Sequence, residues 1–265
     1  MYHRPPPPLP PQLFPPPQQP PSPIRSSPSS GYPTNAAPSS PTNGAPPTHR
    51  SGGGIHGGYE WNTVLLGYQM VDYFTTSPHL IPAHLTLTII PNANPDGMFW
   101  LLGREGRFGA ADITTSTEGA FPGRFNGRNV DLNRNWDCNW ERTAVWQTTA
   151  VNPGTAPFSE PETIALRDFF VAAQPALVLF WHSAAEAVFP AGCGRIDSAS
   201  AEWADIYSNA SGYPVYNGFS AYPITGDASN WLTTQGIPSI TVELITHDDP
   251  EWAQNVAGVM AVINQ

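Results

Sequence analysis

The sequence contains no lysine, and its first 54 residues contain no acidic residue. Without lysine a P-loop phosphate site, which uses one, is excluded. Eleven arginines face 21 acidic residues, for a net charge of −10, so clustered cations for nucleic-acid phosphates are missing too. No run of eighteen apolar residues occurs, so no membrane-spanning helix is expected. The start, Met1 to Pro8, lacks the apolar core of an export signal. Two cysteines, Cys138 and Cys193, are too few for a disulfide-stapled mini-fold and too far apart for a Cys-x-x-Cys metal knuckle. They form either one bridge or two buried thiols; the bridge is favoured because Cys193 follows a Gly-rich turn.

Proline is abundant but unevenly placed, with 18 of 32 prolines in residues 1–54. Residues 1–52 therefore read as a proline-rich tail or linker that cannot bury enough apolar surface to offset its ordering entropy. Its Pro5–Pro11 run could dock in an SH3-like or WW-like groove, although a plain tail is the commoner meaning of such composition. From residue 53 to residue 265 the texture is that of a folded domain, carrying all the acidic residues.

Within that domain, Trp61–Thr75 has apolar residues at 61, 64, 65, 68, 71 and 74, the spacing of an amphipathic helix. Leu85–Ile90, Ala176–Trp181 and Ile237–Leu244 are short apolar runs that read as buried strands. Glu160–Ala173, Ser198–Ser211 and Pro250–Asn264 read as helices, the first with acids and a proline in its opening turn. Strands alternating with helices predict an α/β fold: a mixed, mainly parallel sheet with helices on both faces.

Ligands in such sheets gather where strands end. The second apolar run leads into His182, the third carries Glu243, and a Gly-rich turn holds His56 and Glu60. Two histidines and a carboxylate are the donors a catalytic zinc requires, and Glu243 is then a free base beside it. On spacing alone this is a candidate metal site and nothing narrower. A lone strand-end histidine is often structural, and a glutamate in an apolar strand can simply pair with an arginine.

Five motifs narrow it: GGIHGGYEW at 53–61, PNANPDG at 91–97, NVDLNRNW at 129–136, WHS at 181–183 and TVEL at 241–244. In this order they resemble the zinc metallocarboxypeptidases, over about residues 53–265. The resemblance implies one zinc ion per chain, held by His56, Glu60 and His182, with Asp131 orienting His56. It implies Asn133 and Arg134 on the substrate's terminal carboxylate, Arg124 at the scissile carbonyl, Tyr222 covering the substrate and Glu243 as general base. Arg128 is a second arginine near Arg124. Asp227 falls where family members line the side-chain pocket, and an acid there favours a basic group; a helix cap is the other reading. Asp96 and Gly97 read as a turn.

The implied activity is removal of a C-terminal residue from a peptide with a free carboxylate. A cell-wall peptidase acting at a diaminopimelate-type residue would use the same residues, and an N-acyl amidase of the desuccinylase type fits DLNRNW and Tyr222 less well. A binding module with a proline-rich arm is the non-enzymatic alternative. Family members are mostly exported, which implies a secreted or extracytoplasmic protein.

Two departures stand out. HGGYE has three residues between His56 and Glu60 where the family has two, which requires a local bulge with positive φ at Gly57 or Gly58. No apolar strand can be read in the stretch before GGIHG, so the first strands of the domain are expected to be missing from this chain.

Overall fold

The structure is a computed structural model and describes residues 48–52 and 54–265. In chain order its elements begin with β1 (Thr48–Gly52), α1 (Trp61–Thr76), β2 (Thr86–Ile90) and α2 (Pro95–Leu102). A small hairpin follows, β3 (Ala144–Trp146) with β4 (Thr149–Val151), then α3 (Pro161–Ala173), β5 (Leu177–Ser183) and β6 (Ala187–Pro190). The chain ends with α4 (Ser198–Ser211), α5 (Ala228–Thr234), β7 (Ser239–Leu244) and α6 (Trp252–Ile263).

Five of these strands form one sheet in the order β2-β1-β5-β7-β6. All pairs are parallel except β6 with β7, so the mixed, mainly parallel α/β class read from the sequence is the class observed. The alternation of β5 explains the layers. Leu177, Leu179 and Trp181 pack with Leu66, Met70 and Phe74 of α1, Tyr207 of α4 and Val259 of α6. Val178 and Phe180 pack with Phe170 of α3, Trp231 and Leu232 of α5, and Trp136. Helices therefore cover both faces.

The expected strands and four expected helices stand within a few residues of their predicted ends. Residues 48–52, read as the end of the tail, are instead the strand β1, paired in parallel with β2 on one side and β5 on the other. A strand is built from backbone hydrogen bonds, and THRSG carries no apolar alternation by which to find it. The rest of the proline-rich stretch, with the Pro5–Pro11 motif, lies outside the described residues.

The stripe read on α1 needs correction as well. Trp61, Val64 and Leu65 pack on Met98 of α2 and Phe108, while the row facing the sheet is Leu66, Met70 and Phe74. The helix is buried on two sides, so one stripe could not describe it. The NPDG turn proves to be the start of α2: the Asn94 side chain accepts from Gly97 N at 2.9 Å and Pro95 opens the first turn. Gly97 is required there by space, because a Cβ would lie 2.1 Å from the Gly123 carbonyl oxygen. Cys138 and Cys193 are bridged, with Cα atoms 5.8 Å apart.

Candidate metal centre

At the C-terminal ends of β5 and β7, His182 and Glu243 sit directly opposite each other in the parallel register. Apolar neighbours on both strands fix their backbones, and the side chains emerge where the strands stop. His56 and Glu60 arrive from a different kind of structure, a tight 3-10 turn over Gly57–Glu60 that runs into α1. Gly57 has φ +45°, so the extra residue is absorbed at the first of the two glycines expected to take it.

The turn carries Glu60 back onto the histidines. Its Oε1 is 2.6 Å from His56 Nδ1, its Oε2 is 3.0 Å from His182 Nδ1, and the two Nδ1 atoms are 3.2 Å apart. All three residues are buried. Two imidazole nitrogens at that separation cannot both present lone pairs without repulsion; a proton or a cation between them removes it. Two histidine nitrogens and a carboxylate facing one point are the donor set of a catalytic zinc site, so the residues present fit the ion.

Charge follows the same logic. Burial alone would raise the Glu60 carboxyl, but His56 and His182 beside it hold it well below the usual carboxylate range. Burial likewise opposes charging of His182, yet Glu60 outweighs it and raises the imidazole above its ordinary value. Glu243 has no such rescue: burial, reinforced by the charge of Glu60, pushes its carboxyl up to about 7 against the pull of His182 and Arg124. A carboxylate with this affinity for protons is suited to general-base work near neutral pH.

Around the group lies a polar layer drawn from the 124–134 segment. Asp131 Oδ2 accepts from Arg124 Nε at 2.8 Å, and its Oδ1 accepts from Asn133 N at 3.0 Å. Asp131 Oδ1 is also 3.3 Å from His56 Nε2, a buried nitrogen without an aligned hydrogen bond. Burial of Asp131 is overcome by the Arg124 and His56 charges, which keep its carboxyl well below the usual range. Arg124 Nη1 is 3.8 Å from Glu60 Oε1, so the arginine reaches the His56–Glu60–His182 group itself. Arg128, its neighbour in sequence, is exposed and points to Glu160 at 3.9 Å.

Arg134 is buried, and among the described residues its guanidinium donates only to backbone carbonyls, to Val145 O at 3.2 and 3.1 Å and to Asn133 O at 2.7 Å. Among the described residues no carboxylate pairs with it. A buried cation with neutral partners is costly unless an anion completes it. Asn133 Nδ2 donates to Asp227 Oδ2 at 3.1 Å, and Ala228 N donates to Asn133 Oδ1 at 3.0 Å. Asp227 is the cap of α5: its Oδ1 accepts from Asn230 N at 2.8 Å and from Ser229 Oγ at 2.7 Å. Both Asp227 oxygens are therefore engaged within the protein.

These groups share one open cavity of about 760 Å³ with Tyr222, Trp146 and Tyr59. The Tyr222 ring is 4.8 Å from that of Phe219. Tyr59, which occupies the position where the family spacing would put the carboxylate, meets Phe121, Trp146 and His247 with ring centroids at 5.4, 5.5 and 4.8 Å. Trp146 and His247 also line the cavity but belong to no motif. The signal that could have drawn attention to His247 is its place four residues beyond Glu243, just past the strand end. Burial lowers the His247 imidazole, with Glu60 and Asp248 opposing, which favours the neutral ring.

Residues 32–254 match the family model of zinc carboxypeptidases. No curated protein matches the chain in sequence. Among solved structures, the murein-tripeptide amidase of Escherichia coli O157 aligns with TM-score 0.55 at 21% identity, covering 82% of this chain and 84% of that one. The carboxypeptidase A of Helicoverpa armigera aligns with TM-score 0.59 at 20% identity, over 84% of this chain but only 62% of its own length. Bovine thrombin-activatable fibrinolysis inhibitor, solved with a tick carboxypeptidase inhibitor, gives 0.59 and 22%, over 82% and 79%. At these identities the structures support the fold, and the family rests on the model match over most of the sequence. The chain belongs to the zinc carboxypeptidase family.

Proposed function

We propose that the chain is a zinc-dependent metallocarboxypeptidase that hydrolyses the last peptide bond of a peptide with a free C-terminal carboxylate. The observation that carries the reading is the convergence of His56, Glu60 and His182 beside Glu243, in the same cavity as the anion-seeking Arg134. Zinc bound by the three residues would supply a Lewis acid and acidify a water.

The remaining work belongs to side chains of this protein. Arg134 takes the terminal carboxylate in the bidentate geometry its planar guanidinium favours, with the free N–H of Asn133 nearby. This anchoring restricts cleavage to the chain end. Arg124 donates to the oxygen on which charge develops. Glu243 accepts a proton from the attacking water and returns it to the leaving amine. Asp131 holds His56 and Arg124 in place, and Tyr222 closes over the substrate. The Cys138–Cys193 bridge agrees with an exported protein, since such bonds persist outside the cytosol.

A cell-wall peptidase would employ the same set. Its separate support, an acid in the side-chain pocket, is weakened because the Asp227 oxygens already serve α5 and Asn133. An inactive binding module has no need to keep the three ligands and the base together. The test compares a set of peptides ending in a free carboxylate with their C-terminal amides, products being read by mass spectrometry. Zinc-loaded protein should release the last residue from the free acids only, and Glu243→Gln should stop it. Equal cleavage of acids and amides, or none by zinc-loaded protein, would overturn the reading.

A further inference from the structure

Beside the metal-ligand group, Asn62, Ser183 and His247 form a hydrogen-bonded chain whose proton positions are fixed by bonding capacity. Asn62 Nδ2 donates to the carbonyl oxygens of Thr246 and Asp249, at 2.7 and 3.0 Å. Carbonyls only accept, so the amide orientation is settled and Asn62 Oδ1 is the acceptor. Ser183 Oγ lies 3.0 Å from that oxygen and donates its single proton there. Ser183 Oγ must then accept from the His247 Nδ1 3.1 Å away. In the neutral ring that burial favours, this bond puts the hydrogen on Nδ1 and leaves Nε2 a lone pair. Among the described residues Nε2 has no protein partner and is not a buried orphan, while the residue lines the cavity.

The side of the cavity is also defined. Asn62 is on α1, and His247 is on the connection from β7 to α6, helices that pack on one face of the sheet. Leu132 and Trp136, flanking Asn133 and Arg134, pack with α3 and α5 on the other face. His182 and Glu243 lie on the strand ends between. On the carboxypeptidase reading, a peptide anchored at Arg134 and cut beside Glu243 would continue towards the side of the cavity that His247 lines.

We propose that His247 is a specificity residue whose Nε2 accepts a hydrogen bond from the main-chain N–H of the residue supplying the scissile carbonyl. This inference rests on the carboxypeptidase reading. It makes the enzyme select substrates that carry an amide N–H at that place, and the Asn62–Ser183 chain is what aims the acceptor.

The test is a cycle of two peptides and three proteins, with zinc-loaded wild type, His247→Phe and His247→Gln. The peptides are identical blocked tripeptides, one N-methylated at the residue before the scissile bond. A neutral hydrogen bond predicts that methylation lowers kcat/KM in wild type about tenfold more than in His247→Phe. His247→Gln, which offers an acceptor oxygen, should recover part of the difference. An equal methylation loss in wild type and His247→Phe overturns the inference and leaves the function standing; wild type that cleaves neither peptide overturns both. Should His247→Phe not fold, the 15N resonance of His247 Nε2 in wild type replaces it. That signal should move on adding a non-hydrolysable N–H peptide and not its N-methyl form, and the same response to both would overturn the proposal.

Discussion

His182 and Glu243 occupy opposed positions on two parallel strands, with buried apolar residues before them and helices packed on both faces. His56 and Glu60 occupy a glycine turn whose conformation depends on positive φ at Gly57 and on charged partners, Asp131 and Arg124. The first pair is placed by packing, which sequence patterns encode in strand alternation. The second is placed by backbone freedom and buried charge, and should fail when a single partner is removed. With three residues between them, Glu60 still meets His56, and His182 as well.

The comparison can be broken at its chemical end first. Glu243→Gln should keep zinc and fold but lower kcat by about 10²–10⁴, as loss of a general base does. The same variant isolates a stability effect in the metal-free protein. The folded-state value of Glu243 is raised to about 7, so the native state binds the proton more tightly than the unfolded chain. Wild type should therefore lose stability relative to the variant as pH rises from the ordinary glutamate range through about 7. Urea titrations at several pH values would show it, and parallel curves for the two proteins would contradict it.

The turn side should be the more fragile under charge removal. Asp131→Asn takes from Arg124 its nearest buried counter-charge and from His56 one of two, leaving Glu60 alone to face both, at a cost of about 3–5 kcal/mol, visible as a lowered urea midpoint. It should also weaken zinc binding about 10–100-fold, whereas a packing change on β5 remote from the ligands should affect stability alone. The bridge between Cys138 and Cys193, 55 residues apart, constrains the unfolded chain. Its removal by a double Cys→Ser change should cost about 4 kcal/mol by loop entropy, measured with and without reductant.

The smallest of these effects sharpens the comparison most. A Cβ at Gly57 would lie 2.9 Å from the Gly123 oxygen and 3.0 Å from the Asn94 oxygen, at φ +45°. Gly57→Ala should cost about 1–3 kcal/mol and lower zinc affinity by displacing Glu60. Gly103→Ala is the control, with similar positive φ but no neighbour within 4 Å; it should carry the conformational cost without the metal effect.

What the sequence made legible follows the same division. The apolar runs behind His182 and Glu243 disclosed the strands, the parallel class and both side chains, because burial on two faces leaves an unbroken apolar record. His56 and Glu60 were singled out by the Gly-rich turn that holds them, and Asp131 and Arg134 only through motif order, since polar networks leave no periodicity. β1 was missed because backbone pairing alone defines it. The α2 start was read as a turn because Asn94, Pro95 and Gly97 serve a helix start as readily as a turn. His247 escaped notice since its role depends on Asn62 and Ser183, distant in the chain.

The account turns on whether the glycine turn delivers Glu60 to the two histidines, and zinc stoichiometry tests that most directly. Elemental analysis of folded protein dialysed without chelator should give about one zinc per chain, a value that Glu60→Gln lowers. Folded protein with no zinc, or a stoichiometry untouched by Glu60→Gln, would contradict it.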